Sequence, residues 1–353
     1  MLFASAAVAM LWANLHVESY RAIFSTTRSF INDGLMALFF FVVGMEIKEE
    51  LTRGALSTRA RAVLPALAAA GGMLVPALIF ARLDPGGAGW GIPVATDIAF
   101  CVGVLSMLGD RVPRALAVFI TALAVFDDIG GIAVIAIFYG HGLQPAWLVA
   151  SVVLVFLLWA LERRVRLHGV LYAGLGAVLW FTMHQSGLHA TLSGVALGLL
   201  IPAELKHDTD QEAPLASFVT LWRPWVTWVV LPLFALANAG VPLGGMGLAA
   251  FSSPISLGVA LGLFIGKPVG IFGVTFAAVK LKLAPLPERT SHYRLFGASI
   301  VAGIGFTVSL FIAALAYPGG AELEQAKAGV LLGSLVAGVI GALVLRAAPK
   351  LPA

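Results

Sequence analysis

Asp127 and Asp128 stand side by side in an otherwise apolar run, Ala115 to Tyr139, that is long enough to cross a bilayer. An ionised carboxylate at the hydrocarbon midplane costs at least ~2.5 kcal/mol on insertion scales, so a chain that buries two has a use for them. Neighbours on a helix point about 100° apart and must serve different partners. Carboxylate oxygens suit protons and hard monovalent cations, whereas a transition metal calls for His or Cys nearby. The pair is therefore the leading candidate for a site that binds and releases cations in competition with protons. A purely structural role, one Asp pairing to hold helices together, is the weaker alternative.

Lys267, within Gly262-Leu263-Phe264-Ile265-Gly266-Lys267-Pro268, is read as the one cation inside an apolar window. It needs an anion, and an Asp within ~4 Å would form a pair able to exchange for Na+ or protons. A permanent structural ion pair is the competing reading. Thr96 and Asp97 follow Gly91 and Pro93, where a helix is expected to break and expose N–H and C=O ends at membrane depth. There Asp97 would offset positive helix N-termini and Lys267 negative C-termini, with direct cation ligation by Asp97 or Thr96 less favoured.

Three further groups carry weaker signals. Glu46 and Glu50 lie four apart on one helical face and suit a cation-attracting, pH-responsive funnel mouth or, equally, a solvated helix end. Asn32-Asp33 reads as the cap of that same helix. His189 and Ser193 are spaced i, i+4, but without a Gly-x-Ser-x-Gly elbow the histidine reads as packed or pH-responsive rather than hydrolytic. Trp222, Trp225 and Trp228 suit an interfacial aromatic belt.

The elements that must position these residues follow from composition. The 353-residue chain is 60% hydrophobic and 11% charged, with a mean hydropathy of +0.97, far more apolar than a soluble domain. It reads as an all-α polytopic membrane protein forming one transmembrane transporter domain over 1–353. Apolar windows near 2–14, 31–47, 62–81, 92–108, 115–139, 146–161, 169–183, 187–201, 218–238, 255–279, 295–317 and 326–346 predict about twelve helices. Leu2 to Ala13 lacks the flanks of a signal peptide and falls short of the ~20 residues that span a bilayer. This predicts either an unusually short first helix or a chain that begins upstream.

Of the 22 lysines and arginines, seventeen fall after even-numbered windows or at the C-terminus. Only Arg21, Arg28, Arg82 and Lys327 fall on the other side, which puts both termini in the cytoplasm. The net charge of +4 is thus topological and implies no nucleic-acid partner. The single Cys101 excludes an intrachain disulfide and a thiolate cluster within one chain. Polar stretches at Glu204–Pro214 and Lys280–Arg294 are expected on the cytoplasmic side, the first as a link between two membrane halves. Gly-rich or polar interruptions at Ala95–Phe100 and Ala302–Thr307 lie at similar depth, a weak internal echo of the kind found at transporter binding sites.

Six ordered blocks carry a resemblance: Phe39–Glu46, Pro93–Phe100, Phe126–Gly130, Phe234–Gly240, Gly266-Lys267-Pro268 and Gly303–Thr307. Together they resemble the NhaA family of Na+/H+ antiporters over nearly the whole chain, a standard example of inverted-repeat transporters. The resemblance implies inverted repeats of helices three to five and ten to twelve, with the fourth and eleventh unwound and crossing at mid-membrane. Asp128 would be the principal cation ligand, and Asp127 would alternate between Lys267 and the ion. It further implies an electrogenic, alkaline-activated exchange of Na+ or Li+ for a larger number of protons in a bacterial inner membrane, without a cofactor. Two departures stand out. Phe218–Arg223, at the start of the ninth helix, lacks the acidic and histidine residues of the family's pH-sensing segment. Asn14–Ser29 is short for the hairpin through which family homodimers pair. The main alternative in transport is a sodium-coupled organic-solute symporter on a similar inverted-repeat fold. An intramembrane aspartyl protease would need acids facing each other from different helices.

Overall fold

The computed structural model describes residues 1–54, 56–140, 142–162, 169–203, 214–242 and 250–350. Arg163, Arg164, Arg166 and Lys206, and most of the polar stretch at 204–214, lie outside the described residues. Helices account for the described secondary structure, as expected where lipid cannot satisfy backbone N–H and C=O groups.

In chain order they are α1 (Leu2–Leu15), α2 (Val17–Thr52), α3 (Arg59–Leu83), α4 (Ile98–Met107), α5 (Arg114–Phe138), α6 (Pro145–Glu162) and α7 (Gly169–Gln185). There follow α8 (Leu192–Leu200), α9 (Pro214–Asn238), α10 (Pro254–Lys280), α11 (His292–Val301), α12 (Phe306–Ala316) and α13 (Gly320–Ala347). Among the described residues eight helical segments, one of them Ala88–Met107 with α4 at its end, are long and apolar enough to cross a membrane, or nine if α11 and α12 count as one span bent by 46°. Exposure supports the same class. Only 11% of the apolar window in α6 is buried, and Val152, Val153 and Phe156 point outward, a surface that suits lipid and not water.

The chain forms two compact units. The first joins Met1–Gly54 to Ile132–Gly240 and holds α1, α2, the end of α5 and α6 to α9. Its core packs Phe41, Val42 and Met45 of α2 against Leu158, Leu179, Leu197 and Val226. Asn238 at the end of α9 donates to Asn32 Oδ1 at 2.8 Å, satisfying a buried amide.

Two sequence expectations change here. The connection expected over 14–29 is helical from Val17, so α2 runs unbroken through a π-helical turn at Phe30–Leu35. Asn32 and Asp33 therefore sit inside a helix and cap nothing. Hydropathy alone does not mark Val17–Ser29, because this stretch has polar and apolar faces: Tyr20 and Phe24 are buried while Glu18 and Arg21 are exposed.

The second unit joins Ala55–Gly131 to Val241–Ala353 and holds α3, α4, most of α5 and α10 to α13. Two of its helical segments are interrupted. A 3-10 helix at Ala88–Val94, containing Pro93, gives way to extended backbone at Ala95 before α4 begins at Ile98. Pro93 has no N–H to continue the ladder. The second interruption separates α11 from α12 at Ala302–Gly305. A Cβ on Gly303 would lie 2.3 Å from the Leu263 carbonyl oxygen, so only glycine permits this approach to α10. The interruptions meet: Asp97 N–H donates to the Ile304 carbonyl at 2.7 Å, and Ser309 Oγ donates to that of Ile92 at 2.7 Å.

Candidate functional site

Where the two interruptions meet, one carboxylate serves two helix starts, one on its own element and one on another. Asp97 is the N-cap of α4, its Oδ1 accepting from Phe100 N–H at 3.1 Å. Its Oδ2 accepts from Thr307 N–H at 3.0 Å and from the Thr307 hydroxyl, so one carboxylate caps α12 as well. Each helix N-terminus carries roughly half a positive charge, and two of them match one carboxylate. Ser334 of α13 accepts the N–H of Phe306 at 3.2 Å and completes the start of α12.

Beside this cap lies a charged cluster with no solvent exposure at its centre. Lys267 of α10 and the Asp127 side chain in α5 are both fully buried, and the ammonium is hydrogen-bonded to Asp127 Oδ2. Lys267 Nζ also donates to Thr96 Oγ1 at 2.6 Å. The Thr96 hydroxyl has one proton and two acceptors, Asp127 Oδ2 at 2.6 Å and the Ala302 carbonyl at 3.0 Å. Among the described residues Asp127 Oδ1 is buried with no hydrogen-bond partner. Asp128, the next residue of α5, is also buried, with 8% exposure.

Of the residues singled out in the sequence, Thr96, Asp127 and Lys267 thus come into one hydrogen-bonded cluster, and Asp97 stands next to it on the chain. Glu46 and Glu50 belong to the other unit. There Glu46 pairs with Arg223 of α9 at 2.9 Å. His189 is not helical: it lies in the turn before α8, its Nδ1 2.9 Å from Thr191 Oγ1 and its Nε2 3.8 Å from Asp33 Oδ1.

Lys267 is not the only buried cation in an apolar helix. Lys327, assigned from the sequence to the outer side, is 1% exposed within α13, with Glu324 Oε1 3.6 Å away. Sequence reading also missed the parts played by Thr307 and Ser334. The glycine-rich run flagged Thr307 by position, but its partner Asp97 is 210 residues away, and nothing local marks the contact.

A buried lysine–aspartate pair where two breaks between helices meet suits the handling of small cations, and comparison with known proteins identifies the class. A sequence model of the family described as Na+/H+ antiporter 1 matches residues 1–345. The chain is 47% identical to a Na(+)/H(+) antiporter NhaA of Anaeromyxobacter sp. (strain Fw109-5), covering 99% of this chain and 89% of that protein. It is 46% identical to a Na(+)/H(+) antiporter NhaA 1 of Myxococcus xanthus (strain DK1622), over 100% of this chain and 91% of that one. A Na(+)/H(+) antiporter NhaA of Nitrobacter hamburgensis is 49% identical, over 91% and 80%. The chain belongs to the NhaA family of Na+/H+ antiporters, multi-pass membrane transporters. Membership does not favour the organic-solute symporter.

Proposed function

We propose that the chain works as one transport domain of about twelve spans that exports Na+ or Li+ in exchange for protons by alternating access. Reading Ala88–Val94 with α4 as one interrupted span, and α11 with α12 as another, gives that number. On this reading the third to fifth and tenth to twelfth spans are inverted repeats whose discontinuous members cross at mid-membrane. Both termini are cytoplasmic, in a bacterial inner membrane, as the distribution of Lys and Arg supports. A lipid-embedded homodimer is the assembly the family resemblance implies.

One observation carries the assignment. Asp127 spends one oxygen on Lys267 and Thr96 and keeps the other buried and unpartnered, next to a second buried carboxylate. A site that has lost its protons from the cytoplasmic side then offers hard oxygens to a small cation, with Asp128 as principal ligand and Asp127 leaving Lys267 to join it. Na+ leaves outside, and protons returning to the carboxylates reset the carrier. Because more protons than cations cross per cycle, the exchange is electrogenic. Deprotonation as the condition for binding makes it faster at alkaline pH. Asp97 and Lys267 balance the helix ends through both states, while Glu46 and Glu50 are the proposed entry funnel and pH-responsive acids. No resident cofactor enters the cycle.

Proteoliposomes carrying an imposed pH gradient, scanned over pH with Na+, Li+ or K+ under a set voltage, test the proposal. Na+ and Li+ are expected to dissipate the gradient and K+ not, with rates that rise with pH and respond to voltage. Dissipation by none of the three would refute antiport, and a voltage-independent rate would refute electrogenicity alone.

A further inference from the structure

The cluster described so far draws on α5, α10 and the two interruptions, yet α3 touches the helices of both charged partners through three consecutive residues. Gly71 meets Gly270 backbone to backbone: a Cβ on Gly71 would lie 2.5 Å from the Gly270 carbonyl oxygen. A Cβ on Gly72 would lie 2.7 Å from Ile271 Cγ1 and 3.9 Å from Lys267 Cδ, so Gly72 makes room for Ile271, with the lysine stem at the edge of the same contact. Met73 reaches the other way. Its Sδ occupies the notch left by Gly130, 2.2 Å from where a Cβ would stand. Gly130 is three residues after Asp127, on the same side of α5.

We propose that Gly72 and Met73 of α3 are positioning residues for the exchange, setting the separation of the helices that carry Lys267 and Asp127. Gly72 lets α10 approach through Ile271, four residues after Lys267, and Met73 fills the notch at Gly130, three residues after Asp127. The thioether is too soft to ligate Na+. Its three rotatable bonds instead allow the filling to shift as Asp127 passes from Lys267 to the cation, which a branched side chain would resist. The proposal rests on the assignment of Lys267 and Asp127 to the exchange cycle.

Gly130→Ala displaces Met73 without touching a charged group, and the atom that must move is the far end of a flexible side chain, so the fold is retained. Because sub-ångström misplacement of a site is amplified in rate and affinity, the apparent KM for Na+ in proteoliposomes is expected to rise about tenfold. Met73→Ala leaves the notch empty and is expected to raise KM several-fold as well, and combined with Gly130→Ala the two effects are expected to sum to less than their separate values, since contacting residues couple. Gly131→Ala, next along α5 with nothing within 4 Å of its Cβ position, is expected to change nothing. An unchanged KM in Gly130→Ala or in well-folded Met73→Ala, or effects that simply add in the double variant, would overturn the positioning role. Lys267→Met in the same assay separates the two levels: retained exchange there would overturn the underlying assignment whatever Gly130→Ala does.

Discussion

Asp128→Asn is expected to reduce Na+-driven proton movement to the level of protein-free liposomes while the protein still folds and purifies in its usual amount. The amide matches the carboxylate in shape but carries neither a negative charge nor an exchangeable acid proton, so it offers nothing for Na+ and H+ to compete over. Folding survives because a buried neutral amide is less costly to desolvate than a buried charge. Dequenching of a pH-sensitive dye on Na+ addition is the readout, with melting in detergent as the folding control. Retained exchange would remove Asp128 from the site.

Lys267→Met is expected to act on both exchange and stability. The substitution keeps an unbranched stem and deletes the ammonium that holds Asp127 Oδ2 and Thr96 Oγ1. Leaving one member of a buried pair without its counter-charge costs roughly 3–5 kcal/mol, so the melting temperature should fall markedly at neutral pH. The fall should shrink as the medium is acidified and Asp127 takes up a proton. Replacing both partners removes the stranded charge, because apolar or neutral isosteres of a buried pair are often as stable as the pair itself. Asp127→Asn/Lys267→Met is therefore expected to recover most of the stability and none of the exchange. If the single variant melts like the unmodified protein, the ion pair does not support the fold.

The helices are readable in the sequence because lipid requires an apolar run long enough to span it, so hydropathy alone marks α3, α5 and α10 within a few residues. Val17–Ser29 escaped because an amphipathic segment gives no sustained apolar run. The apolar run 187–201 predicts a helix through His189, yet Gly187 adopts φ +83 and the helix starts only at Leu192. Within the site, ionisable groups in apolar windows announced themselves by their cost, and Thr96, Asp127 and Lys267 do meet. The double cap by Asp97 and the wedge of Gly72 and Met73 were not readable. They depend on tertiary contacts between residues whose types are ordinary in membrane helices.

In the proposed cycle Na+ and protons compete for the same buried carboxylates. Proton release on adding Na+ to purified protein in a weakly buffered detergent solution, at a pH where the site is still protonated, measures this directly. Protons should appear in the medium as Na+ saturates, with none released by K+ and none by the Asp128→Asn variant. Saturable Na+ binding without proton release would contradict it.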